Sequence, residues 1–185
     1  MGPDEVLQAM LMYFILPVWL VAGFADYLCH RAARIEETSG WKESILHILQ
    51  FGEMAVPVLA ALFLEITSGV ILIMAVFLVL HEATTIWDVS YASSLRDISP
   101  TEQHVHSVLE MLPLTGLLLV IALHWPAFTA LFGFGSPDFS LTLKQRPLPL
   151  GYIIGMFVFA ALLEGLPFLE ELIRGLRHQA NPAGK

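Results

Sequence analysis

The sequence predicts an all-α, polytopic integral-membrane helix bundle of about five transmembrane helices, with a histidine and carboxylate site between two helix pairs. Three observations predict it. The 185 residues have a mean hydropathy of +0.70 and only 14% are charged, too apolar for an ordinary soluble domain. Long apolar runs recur at the length of a bilayer crossing. Two of the connections between runs, His81 to Glu110 and Asp26 to Glu53, hold five histidines and ten carboxylates in a chain otherwise poor in charge. One domain, residues 1–185, accommodates all of this. The net charge of −8 excludes nucleic acid as a partner, because phosphate backbones require a surplus of Lys and Arg. The single cysteine, Cys29, excludes an internal disulfide.

The first helix is expected over residues 5–37. Its apolar run 6–25 is long enough to cross about 30 Å of hydrocarbon. Asp4 and Glu5 stand where a cleavable leader needs basic residues, so the run reads as a span. Pro17 predicts a kink. Asp26, His30 and Glu37 follow at spacings of four and seven, roughly on one face, before Thr38-Ser39-Gly40 breaks the helix.

The second and third helices are expected over 42–66 and 69–94. Their uninterrupted apolar parts, 54–64 and 70–80, are too short to cross. The spans therefore take Glu53 on one, and His81 and Asp88 on the other, into or against the bilayer. Ser99-Pro100-Thr101-Glu102 is a capping box with proline at the first helical position, which starts the fourth helix, 100–124. Glu102, His106 and Glu110 form one stripe on it. His104 lies about 200° round from His106, so only one of the two faces the stripe, and His106 is favoured. Residues 125–149 are rich in Phe, Gly and Pro and read as an interfacial loop. The fifth helix, 150–173, carries Glu164 within its apolar run, and a polar tail follows.

Lys and Arg set the expected orientation. Arg31, Arg34, Lys42, Arg96, Arg174, Arg177 and Lys185 fall on one side and only Lys144 and Arg146 on the other, which predicts the N-terminus outside, the C-terminus cytoplasmic and both polar clusters near the cytoplasmic side. A weak internal repeat supports a shared site. Asp26 to Arg34 and Asp88 to Arg96 have equal spacing, and Glu53 and Glu110 each follow a histidine by six and precede Pro57 or Pro113.

Within the clusters ten carboxylates face four basic residues, and two bound metal ions would neutralise much of the excess. The expected ligands are Asp26, His30, His47, Glu53, His81, Asp88, His106 and Glu110. Glu43, Glu102, His104 and Glu164 are supporting or reserve positions, and Arg34 and Arg96 balance charge or hold a headgroup. Imidazole and carboxylate donors without thiolate predict iron, with manganese or zinc accommodated by the same set. Soluble di-iron bundles also draw such donors inward from four helices, but their Glu-x-x-His spacing is absent here, as are the histidine boxes of membrane desaturases. Glu36, Glu37, Asp97 and Lys42 are expected as solvated loop charges, and His124 and His178 as ordinary interfacial or tail histidines.

The expected function is a dinuclear non-haem metal protein, an oxidoreductase of the hydroxylase, desaturase or oxidase kind. Its partners would be membrane lipid, a hydrophobic small-molecule substrate and an electron donor. A zinc-dependent hydrolase of a lipid amide or ester, or a metal transporter or sensor, would use the same residues. Haem would leave the carboxylates unexplained.

Overall fold

The computed structural model describes residues 1–181, and Lys185 of the charge count lies outside them. Five helices are long and apolar enough to cross a membrane: α1 (Pro3–Ala33), α2 (Trp41–Phe63), α3 (Ser68–Ser93), α4 (Pro100–Leu123) and α6 (Leu150–Ala180). A short helix, α5 (Trp125–Ala130), follows α4. The chain is thus an all-helical, multi-pass bundle, and α2 packs against α3 and α6 while α1 packs against α4.

Local chemistry sets the helix ends. Thr67 caps α3 by accepting from the Val70 N–H, and Ser99 caps α4 by accepting from the Glu102 N–H at 3.2 Å, with Pro100 at the first helical position. α1 ends earlier than residue 37, because Arg34 takes a left-handed conformation (φ 51°) that closes the last turn. Glu37 therefore sits on a 3₁₀ turn, Ile35–Glu37, and does not share a helical face with Asp26 and His30. Glu37 pairs with Arg34 and Glu36 with Arg174.

Both 31-residue helices widen for one turn just before a proline. α1 does so at Leu11–Ile15 ahead of Pro17, and α6 at Ala161–Gly165 ahead of Pro167. Proline lacks an N–H and crowds the carbonyl four residues back, and a π turn relieves both while the helix continues. The expected kink at Pro17 takes this form. α6 also extends past residue 173 to Ala180, so the first residues read as a polar tail are helical, with Gly175 buried.

At one end of the bundle lie the turns 34–40 and 94–99 and the C-terminal part of α6; at the other lie the turn 64–67 and the segment 131–149. That segment is tied down. Lys144 N–H donates to the Phe63 carbonyl (2.8 Å), Glu65 N–H to Thr142 (2.9 Å) and Gly69 N–H to Asp138 (2.9 Å). A Cβ on Gly69 would lie 2.9 Å from the Phe139 Cα, so the contact requires glycine. The apolar core at this end is small, formed by Ala60, Val70 and Met74. Outward-facing Leu, Val, Ile and Phe side chains on every span suit hydrocarbon contact.

Gly69→Ala is expected to lower stability by about 1–3 kcal/mol through overpacking. Gly52→Ala, on a helix face with open space around it, is expected to be neutral or mildly stabilising. Thermal unfolding of the two variants in detergent checks this.

Candidate metal centre

Three helices carry an acid four residues before a histidine: Asp26 and His30 on α1, Glu43 and His47 on α2, and Glu102 and His106 on α4. A spacing of four puts each pair on one face. The helices turn these faces toward one another, and α3 adds Asp88. Asp26, His30, Glu43, His47, Asp88 and Glu102 are each no more than 5% exposed, and the His106 side chain is 14% exposed.

Glu171 organises the histidines. One carboxylate oxygen meets His47 Nδ1 at 2.7 Å and the other meets His30 Nδ1 at 3.1 Å. The two imidazoles stack with centroids 4.3 Å apart and planes within 7°. With both Nδ1–H groups donating to a carboxylate, the Nε2 atoms carry lone pairs, the arrangement that orients ligating histidines in metalloproteins.

Those Nε2 atoms face carboxylate oxygens. His30 Nε2 lies 3.4 Å from Asp26 Oδ2 and 3.5 Å from Glu102 Oε1; His47 Nε2 lies 3.3 Å from Asp88 Oδ2; His106 Nε2 lies 2.9 Å from Asp26 Oδ1. None of these contacts has hydrogen-bond geometry: His30 Nε2, His47 Nε2, Asp26 Oδ1 and Asp88 Oδ1 are buried with no hydrogen-bond partner. Such orphaned atoms are rare in protein interiors. Two donors each about 2.1 Å from one ion, at angles of about 90–110°, lie about 3.0–3.4 Å apart, so the observed separations of 2.9–3.5 Å are close to what a shared cation would need. Two triads, Asp26 with His30 and His106, and His30 with Glu43 and His47, bring their donor atoms within 4.8 Å of one another.

Charge points the same way. Five buried carboxylates (Asp26, Glu43, Asp88, Glu102, Glu171) face one buried guanidinium, Arg96, leaving four negative charges when the imidazoles are neutral. Two divalent cations would offset them. Arg96 donates to Glu43 Oε1 at 2.6 Å and to Glu102 Oε2 at 3.0 Å. Burial opposes its charge, but the two carboxylates outweigh burial and hold its pKa above the ordinary arginine value.

The structure therefore brings together Asp26, His30, His47, Asp88 and His106 of the eight expected ligands, with Glu43 and Glu102 from the reserve set. Glu53, His81 and Glu110 stand outside this contact cluster. Glu53 accepts from Thr84 Oγ1 at 2.8 Å, and its other oxygen is buried without a partner, as is His81 Nδ1. Glu110 lies on a shallow groove near Arg96 and His106, partly exposed. Glu110 and His81 share a face with His106 and Asp88 but stand about 6 Å and about 10 Å away along their helices, and Glu53, six residues past His47, is also turned about 120° from it. His104 points outward and is exposed. Arg34, with its side chain 69% exposed, stands apart from the cluster, so the two halves of the sequence repeat diverge at Arg34 and Arg96. Glu164 is buried beside Gly23, where a Cβ would fall 2.0 Å from its oxygen.

Sequence reading passed over Glu171 and Gln50, the latter donating to Asp88 Oδ2 at 3.2 Å. A signal for Glu171 exists: Glu164, Phe168, Glu171 and Gly175 follow at spacings of four, three and four, and all four are buried. Gly175 permits the approach, since a Cβ there would lie 2.9 Å from the Trp41 backbone.

No protein-family model matches the chain, and neither a curated protein nor a solved structure matches it.

Arg96→Ala leaves two carboxylates buried without their cation and is expected to cost about 3–5 kcal/mol. Arg34→Ala removes only an exposed pair and is expected to change stability by less than about 0.5 kcal/mol. Denaturation midpoints of the two variants, compared with the parent, decide whether Arg96 holds the site together.

Proposed function

We propose that this chain is an integral-membrane, dinuclear non-haem metal protein, with iron the metal, that carries out oxidative chemistry on a hydrophobic substrate drawn from the bilayer. The observation that supports it most is the set of buried imidazole Nε2 and carboxylate oxygen atoms that face one another at ligand spacing without hydrogen bonds. In this reading Asp26, His30 and His106 serve one ion and Glu43, His47 and Asp88 the other, with Glu102 beside His30. Two iron ions in such a donor set supply reactivity toward dioxygen.

The chain's own residues do the rest. Glu171 fixes both stacked imidazoles in the tautomer that leaves Nε2 free, and Arg96 holds Glu43 and Glu102 in place through its hydrogen bonds to both. A cavity of about 440 Å³, walled mostly by apolar side chains, adjoins Asp26, His47 and His81 and offers a hydrophobic substrate a place beside them. Electrons come from a separate donor at the site end of the bundle, which the Lys and Arg distribution assigns to the cytoplasm. A transporter would need a polar route through the other half of the bundle, whose interior is instead Ala60, Val70 and Met74 beside apolar cavities.

Metal analysis and EPR of the purified protein test the proposal. Two iron ions per chain are expected, with Asp88→Asn and His47→Ala losing most of the metal and Glu110→Gln and Glu36→Ala retaining it. Two zinc ions, with cleavage of a lipid amide in the absence of oxygen, would replace this reading by the hydrolase.

Orientation has its own test. In a Cys29→Ser background, cysteines introduced at 34 and at the exposed position 97 are expected to react from the cytoplasmic side and one at 144 from the opposite side. Labelling of 34 and 97 from opposite sides would exclude a shared site.

A further inference from the structure

Two cavities lie between the helices, one lined in part by residues of the His/carboxylate end and one by residues of the far end. The inner one, about 440 Å³, has Asp26, His47, His81 and Glu164 in its wall. The outer one, about 470 Å³, runs to a rim that includes Gln8, His124 and Lys144. Leu16, Trp19, Met54, Val58 and Leu62 line both, so the two are compartments of one passage separated by flexible apolar side chains. From Gln8 to Asp26 α1 rises about 27 Å at about 1.5 Å per residue. That nearly equals the hydrocarbon thickness of a bilayer, about 30 Å.

The two ends differ in what they can hold. Asp26, His47, His81 and Glu164 are each more than nine-tenths buried, so a polar head placed there would be desolvated among groups already short of partners. Glu164 itself has no hydrogen-bond or ion-pair partner among the described residues; it sits on the π turn of α6 and faces the inner cavity. At the rim, half-buried Lys144 makes no ion pair among the described residues. Asp4 and Glu5 also line this rim but are exposed, and Glu5 is engaged by the amino terminus. Burial lowers the Lys144 amine from its usual value, and nearby Glu65 works against that.

We propose that the passage is the binding site for a single extended hydrocarbon chain of a long-chain carboxylate, with its head at Lys144 and its far end beside Glu164 and the His/carboxylate cluster. The length selects the chain. An extended hydrocarbon chain advances about 1.25 Å per carbon, so one of about twenty carbons covers most of the about 27 Å to the cluster, whereas one of about ten carbons covers less than half of it. Calling this chain a substrate rests on the oxidative reading above; the binding mode does not.

The test uses photoreactive fatty acids of about twenty carbons, bearing a diazirine either at the far end or beside the carboxylate, with labelled residues located by mass spectrometry. The far-end probe is expected to label the neighbourhood of Glu164 and Phe168, and the carboxylate-end probe that of Lys144 and Tyr152. Unlabelled fatty acid of the same length should suppress both, and one of about ten carbons should not. Val58→Trp, and Val58→Phe as a milder block, should abolish far-end labelling at Phe168 while leaving labelling at Lys144 and the metal content unchanged. Asp88→Asn should keep the full labelling pattern even without metal, so loss of metal strikes the functional reading and loss of labelling strikes this one. A reversed pattern, or labelling spread over lipid-facing residues and indifferent to the Val58 variants, would overturn the proposal.

Discussion

The carboxylate of Glu171, shared between His30 and His47, is the interaction on which the rest of this molecule depends. It takes up both Nδ1 positions, so both rings present Nε2 to the same interior region and lie parallel at 4.3 Å. To deliver that carboxylate, α6 must come close to the start of α2, which Gly175 against Trp41 allows. It must also arrive in the right register, and the π turn at Ala161–Gly165 inserts the extra residue that sets it. Glu171 lies about one and a half turns beyond that insertion.

Buried charge of this density is costly, and the bundle confines it to one end. Five helices and Arg96 bring the carboxylates together there, while the opposite half holds a small apolar core and a largely apolar cavity. The division has a physical basis. Ionised groups in a low-dielectric region are stable only when concentrated around compensating charge, whereas an apolar passage needs no partner and tolerates loose packing between helices that face lipid. A polar His/carboxylate cluster at one end and a largely apolar interior leading to it from the other follow from that separation.

Much of the bundle was legible in the sequence. Apolar runs of spanning length located five helices, and the Ser99 capping box located the start of α4 to the residue, because both are local effects that a short window contains. The same holds for the pairing of acid and histidine at a spacing of four, which rests on helix geometry alone. Read on three helices at once, that spacing marks Glu43 and Glu102 as strongly as Asp26. The end of α1 was less legible: the left-handed turn at Arg34 is a non-glycine residue in a conformation that no composition signal announces.

What the sequence by itself determined is therefore the class of molecule, the number of its spans and the store of acids and histidines that one end would have to accommodate. Only the tertiary structure decided which of them meet. Glu53, His81 and Glu110 lie on the same helices as members of the cluster yet stand outside it, and Glu171, at the last turn of the expected fifth helix, lies at its centre. The reason is that facing depends on helix rotation and relative height. These are set by the approach of Gly175 to the Trp41 backbone and of the Glu164 side chain to Gly23, contacts between residues more than a hundred positions apart that no local pattern encodes, together with the π turns ahead of Pro17 and Pro167.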